Sequence, residues 1–208
     1  MLLLLIAAFF IFLILREINN TQKSIDGFDF SSKTYCAICL LIAVAAAWSP
    51  IKTLRFESFL SSRASLLAEG KAANVHCNTA FDAMFDNRIN VIGHANPETG
   101  DIVFQISWCE RLMEYLDQPT QVDSRTRYSL MLFTHEVMHI RGELNEQRTE
   151  CQAIQRNHFA GELLGVPRSV ARKHTLEYFH NEYPNHPYFS VDCAPQKAYD
   201  EMLSDSIW

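Results

Sequence analysis

Residues 130–153 read "LMLFTHEVMHIRGELNEQRTECQA". Apolar residues recur from Leu130 to Ile140 around most of a helical circumference, which predicts a central, buried helix. Three polar groups interrupt it: His135, Glu136 and His139. Burying them costs free energy unless each finds a partner. Histidines four apart share one helix face about one turn apart, so both imidazoles can reach a single tetrahedral zinc. Glu136 adjoins the first of them, where it can take a proton from a water at the metal and pass it to a leaving amine. Gly142 ends the helix and permits a left-handed exit.

A catalytic zinc needs a third protein ligand. On a continuous helix Glu146 would lie about 10 Å beyond His139 along the axis. With the break at Gly142, a second helix can start beside the metal. Glu146 and Glu150 are four apart on it, so one can ligate zinc and the other can orient a histidine. The residues alone leave open which does which.

The "HEVMH" of residues 135–139 followed by Glu146-Gln-Arg-Thr-Glu150 resembles the gluzincin zinc metallopeptidases, which join HExxH to a glutamate on a following helix. The resemblance implies His135, His139 and Glu146 as ligands of one Zn2+ per chain. It implies Glu136 as general base and Glu150 in the role of the acid that hydrogen-bonds a ligand histidine. The gap from His139 to Glu146 is shorter than in most of that family, and Glu150 replaces its usual aspartate. "HEVMHIRGELN" also resembles the metzincin pattern, but Asn145 then falls at the third-ligand position, and a neutral amide is a poor zinc ligand. His174, Tyr178, His180 and Tyr183 are candidate donors to an oxyanion.

The rest of the chain supplies a setting. Its 208 residues carry a net charge of −6, which gives a nucleic-acid partner no electrostatic support. Two uncharged apolar runs, Leu2–Leu15 and Tyr35–Trp48, open the sequence. A span needs about 20 apolar residues, and the flanks extend both runs, predicting transmembrane helices over about 2–18 and 34–51. Alternatively, the second run is a signal-peptide core cleaved after Ala47 in "AVAAAWS". Arg16, Lys23 and Lys33 lie between the runs, so positive-inside counting places both ends outside the cytoplasm. Cys77, Cys109, Cys151 and Cys193 suit two disulfides of an oxidising compartment, and sequence order suggests Cys77–Cys109 and Cys151–Cys193.

Residues 1–51 thus read as a membrane region, 52–73 as a helical connector, and 74–208 as the compact domain. Strand signals at Ile89–Ile92 and Ile102–Ser107 flank the turn-rich "GHANPETGD", predicting a hairpin with a long loop. Ile102–Ser107 is the expected edge strand for an extended peptide. Helices follow over about 108–117, 124–141, 145–164 and 168–181, with a short one near 198–204. The expected fold is α+β: a small antiparallel sheet packed against the HExxH helix and further helices. The expected function is a membrane-anchored peptidase acting on peptide or protein substrates. The alternative is a non-catalytic module stabilised by the metal.

Overall fold

The computed structural model describes residues 2–22, 29–78 and 92–208. The chain divides into two units, Met1–Phe56 and Glu57–Trp208. In the first, α1 spans Leu2–Thr21, and α2, which spans Phe30–Leu67, begins. Ser32 Oγ donates to Glu17 Oε1 at 2.7 Å and ties the two helices near their join. Both are long and apolar enough to cross a membrane, and a signal sequence passes the same test. Only 6% and 11% of their most apolar windows are buried, unlike core helices of a globular domain. Leu5, Phe9, Phe12, Leu41 and Trp48 stand exposed. α2 runs on through Pro50 and past residue 51 into the stretch read as a helical connector. A proline inside a helix removes one backbone hydrogen bond, and the flanking turns carry the helix past it.

The second unit begins within the stretch read as a connector. Leu60, Ala64 and Leu67 of α2 are buried. Glu57, Ser61 and Ser65, one turn apart each, present acceptors to alternate backbone N–H groups. Glu57 Oε1 takes Cys77 at 2.7 Å, Ser61 Oγ takes Val75 at 2.8 Å, and Ser65 Oγ takes Ala73 at 3.0 Å. The helical period of four thus meets the strand period of two, and the outer edge of β1 (Asn74–Asn78) is closed.

The sheet is mixed, not antiparallel. Its order is β1-β3-β2, with β2 at Gly93–Asn96 and β3 at Asp101–Gln105. β1 pairs parallel with β3, and β2 pairs antiparallel with it. The expected strand at Ile89–Ile92 falls, but for Ile92, outside the described residues. "GHANPETGD" is not one long loop. Its first half is β2, and a tight turn through Gly100 (φ 80°) returns the chain, closed by Gly100 N–H to Asn96 O at 2.8 Å. β3 is therefore central, paired on both sides, and Ser107 belongs to the next helix. Among the described residues, β2 forms the sheet's other edge.

Four helices follow: α3 (Ile106–Asp117), α4 (Ser124–Arg141), α5 (Glu146–Leu163) and α6 (Arg168–Glu177). Beyond α6 the chain widens to a π-helical turn, Tyr178–Glu182, where the sequence predicts continued α-helix. A buried polar relay joins three helices. Thr134 Oγ1 donates to Asn157 Oδ1 at 3.0 Å, and Asn157 Nδ2 donates to Thr175 Oγ1 at 3.1 Å.

The helix expected near 198–204 does not form. Met202 adopts φ 48°, outside the helical region. The tail's polar groups bond to α5 and α6 instead: Gln155 donates to Tyr199 O at 2.8 Å and accepts from Glu201 N at 2.9 Å, and Arg172 donates to Ser206 O at 3.0 Å.

The disulfides are Cys77–Cys109, joining β1 to α3, and Cys151–Cys193, joining α5 to the tail. The second closes a separation of 42 residues, for which loop entropy contributes about 4 kcal/mol. Cys151→Ser/Cys193→Ser is expected to lose about 2–4 kcal/mol in denaturant unfolding. An unfolding midpoint unchanged from the wild type contradicts this.

Candidate metal centre

Asp123 caps α4 by accepting from Thr126 N–H at 2.7 Å, and every residue from Ser129 to Met138 is buried. His135 and Glu136 thus sit inside the protein. The helix stops at Gly142, which takes φ 107°. Gly142 N–H bonds to His139 O at 2.8 Å, and Glu143 N–H reaches back to Met138 O at 3.2 Å. This helix-ending pattern requires a left-handed residue. Three residues after Gly142, Asn145 caps α5, its Oδ1 accepting from Arg148 N–H at 3.0 Å. Glu146 is therefore the first residue of α5, where the helix dipole favours a carboxylate.

This turn delivers Glu146 to the two histidines. Its Oε2 lies 3.1 Å from His135 Nε2 and 3.5 Å from His139 Nε2. The donor atoms of the three residues all fall within 4.8 Å of one another. Ligand atoms on one tetrahedral zinc at about 2.0–2.1 Å stand about 3.3 Å apart, so the spacing fits. Both rings are also turned for it. His139 Nδ1 lies 2.7 Å from Glu143 O, and His135 Nδ1 lies 2.6 Å from Glu150 Oε2. Ring N–H donation to a carbonyl or carboxylate is how ligand histidines are ordinarily oriented. Of the two candidate carboxylates, Glu146 faces the Nε2 atoms and Glu150 faces Nδ1 of His135.

Glu150 is fully buried, and its second oxygen, Oε1, accepts from Tyr178 OH at 2.5 Å. Burial raises its pKa, but the hydrogen bond and charge of His135, the charge of His186 and the Tyr178 hydrogen bond together outweigh this, and the net shift is downward. Burial alone would keep His135 neutral. Its hydrogen bonds to Glu146 and Glu150 prevail and push it up to about 10. The metal-free site therefore holds a proton on His135 that a metal must displace. Were zinc to bind here, it would release this proton, and its affinity would rise about tenfold per pH unit between pH 7 and 9. Indicator titration in weak buffer checks this, and an affinity flat across that range contradicts it.

Glu136 accepts from Ala95 N–H of β2, and burial pushes its pKa up to about 7. β2 approaches so closely that a Cβ on Gly93 would meet the Phe104 ring at 2.8 Å and Glu136 Oε1 at 3.3 Å. A cleft of about 500 Å³ opens here, lined by Gly93, His94 and Ala95 on one element and by Tyr128, His186 and Tyr188 on others.

None of the four residues proposed from sequence as oxyanion donors lines this cleft. His174 bonds to Tyr115 OH at 3.0 Å, Tyr178 bonds to Glu150, His180 packs on Phe179, and Tyr183 OH accepts from Ser190 N–H. His186 and Tyr188 are there instead. Tyr188 stacks on His135, with centroids 5.7 Å apart. Tyr188 N–H donates to His186 Nδ1 at 3.3 Å, which leaves the ring hydrogen on Nε2, 3.4 Å from Tyr128 OH. The only sequence signal for them was their position just before Cys193.

A second group, His158, Glu162 and Asp205, also brings donor atoms within 4.8 Å. Arg168 pairs with both of its carboxylates and already supplies positive charge there. The chain matches no protein-family model, no curated protein and no solved structure.

Proposed function

We propose that the protein is a membrane-anchored zinc metallopeptidase of the gluzincin type, with Glu57–Trp208 on the extracytoplasmic side. The carrying observation is the 3.1 and 3.5 Å separation of Glu146 Oε2 from two histidine Nε2 atoms whose other ring nitrogens are both held. Beside them stands Glu136, which is no part of that donor set. Its pKa of about 7 suits a general base at neutral pH. The two disulfides fit an oxidising compartment, and the basic residues between the apolar helices favour that orientation.

Bound there, zinc would act as a Lewis acid toward a carbonyl and would lower the pKa of a water. The chain's own groups do the rest. Among the described residues β2 pairs only with β3, and its other side, where Glu136 already holds Ala95 N–H, is where an extended peptide would add. Glu136 takes a proton from the attacking water and returns it to the departing amine. Tyr128 OH, hydrogen-bonded to His186 Nε2, is a cleft donor that negative charge developing on the carbonyl oxygen would meet. Burial raises the Tyr128 pKa, which keeps its proton on as a donor.

The test is metal analysis of the full chain in detergent together with hydrolysis of an unfolded protein substrate. One zinc per chain and cleavage abolished by a chelator are expected. Zinc without cleavage would instead assign a metal-stabilised structural module, and absence of zinc would overturn the reading.

A further inference from the structure

We infer that Tyr178 is a positioning residue for His135, acting through Glu150 as the outermost member of a three-part relay. The inference rests on the zinc reading above. Tyr178 is buried, and its hydroxyl donates to Glu150 Oε1 at 2.5 Å. The other oxygen of that carboxylate holds His135 Nδ1 at 2.6 Å. A carboxylate held by one oxygen can turn about its side-chain bonds, whereas one held at both oxygens keeps its plane. The phenol thus fixes the direction from which Glu150 meets the imidazole. That in turn fixes where His135 Nε2 points, which is toward Glu146 Oε2 and His139.

The placement of Tyr178 belongs to this arrangement. It opens the π-helical turn Tyr178–Glu182, directly after α6 gives up its α-helical pattern. Such turns are rare and recur at functional sites. Its ring packs 5.8 Å from that of Tyr128 and 6.3 Å from that of His186, so the same side chain backs two residues of the cleft lining and reaches the buried carboxylate. Ring and hydroxyl are separable: the substitution Tyr178→Phe would keep the packing and remove only the hydrogen bond. Glu150 Oε1 would then be left in a fully buried position without that donor.

The experiment compares zinc dissociation constants of wild type, Tyr178→Phe, Glu150→Ala and the double variant. The full chain is used in detergent, titrated against a chromogenic chelator. Tyr178→Phe is expected to weaken zinc binding about 10–100-fold, the range for loss of a group that orients a ligand, with an unchanged circular-dichroism spectrum. The visible bands of the Co(II)-substituted protein should shift, which a purely structural role would not cause. In the Glu150→Ala background, Tyr178→Phe should have no further effect. A wild-type constant in Tyr178→Phe, or a full additional loss in the double variant, overturns the inference. If the wild type itself takes up no zinc, the reading of the metal centre falls as well, which separates the two failures.

Discussion

With glutamine in place of Glu136, the protein is expected to take up zinc as the wild type does and to lose about 10³-fold in peptide hydrolysis. The amide keeps the shape and can still accept from Ala95 N–H, so β2 stays in register with α4. It cannot accept a proton from water. Glu136 lies outside the cluster of His135, His139 and Glu146, so metal content should be unaffected. A second measurement separates a chemical role from a structural one. Glu136 is buried, with its pKa raised from 4.5 to about 7. Keeping it ionised in the metal-free fold therefore costs on the order of 3 kcal/mol. The sign follows from the raised value: the cost is absent below about pH 4.5, grows through the interval, and is complete above about pH 7. Metal-free Glu136→Gln should then be more stable than wild type at pH 8 and little different at pH 4. Higher stability with lost activity marks a group retained for chemistry. An active Glu136→Gln protein would remove Glu136 from the mechanism.

The part of this arrangement that the sequence displays is the part governed by local rules. The pair His135 and His139 follows from the helical period. The stop at Gly142 follows from the need for a left-handed residue, and the restart at Asn145 and Glu146 from capping chemistry. What it does not display depends on partners far along the chain. Gly93–Asn96 is a weak strand by composition and forms because β3 pairs with it. β3 is central rather than an edge because β1 pairs with it in parallel. His186 and Tyr188 lie in a segment with no periodic signal, and reach the cleft between Tyr183 and the Cys151–Cys193 disulfide. The tail forgoes a helix for side-chain bonds to Gln155 and Arg172, which no local pattern encodes.

Glu146→Gln and Glu150→Gln are expected to differ sharply, although both remove one negative charge four residues apart on α5. Glu146 Oε2 stands beside both Nε2 atoms, and its side chain is half-exposed toward the cleft. Its loss would remove a proposed ligand atom, for which a neutral amide is a poor replacement. Zinc should fall well below one per chain after dialysis, with activity lost in parallel. Glu150 touches the opposite nitrogen of His135 and donates nothing to the cluster. Glu150→Gln should keep zinc at saturating concentration and weaken the constant about 10–100-fold. The fold should respond in the opposite order. Glu146 sits at a half-exposed helix start, whereas Glu150 is fully buried, with both oxygens bonded. The Glu150 amide must turn an N–H toward Tyr178 or His135, which both donate to the carboxylate, and it loses the charge-assisted character of both bonds, so Glu150→Gln should be the less stable metal-free protein. Full zinc retention by Glu146→Gln together with zinc loss by Glu150→Gln would exchange the two roles.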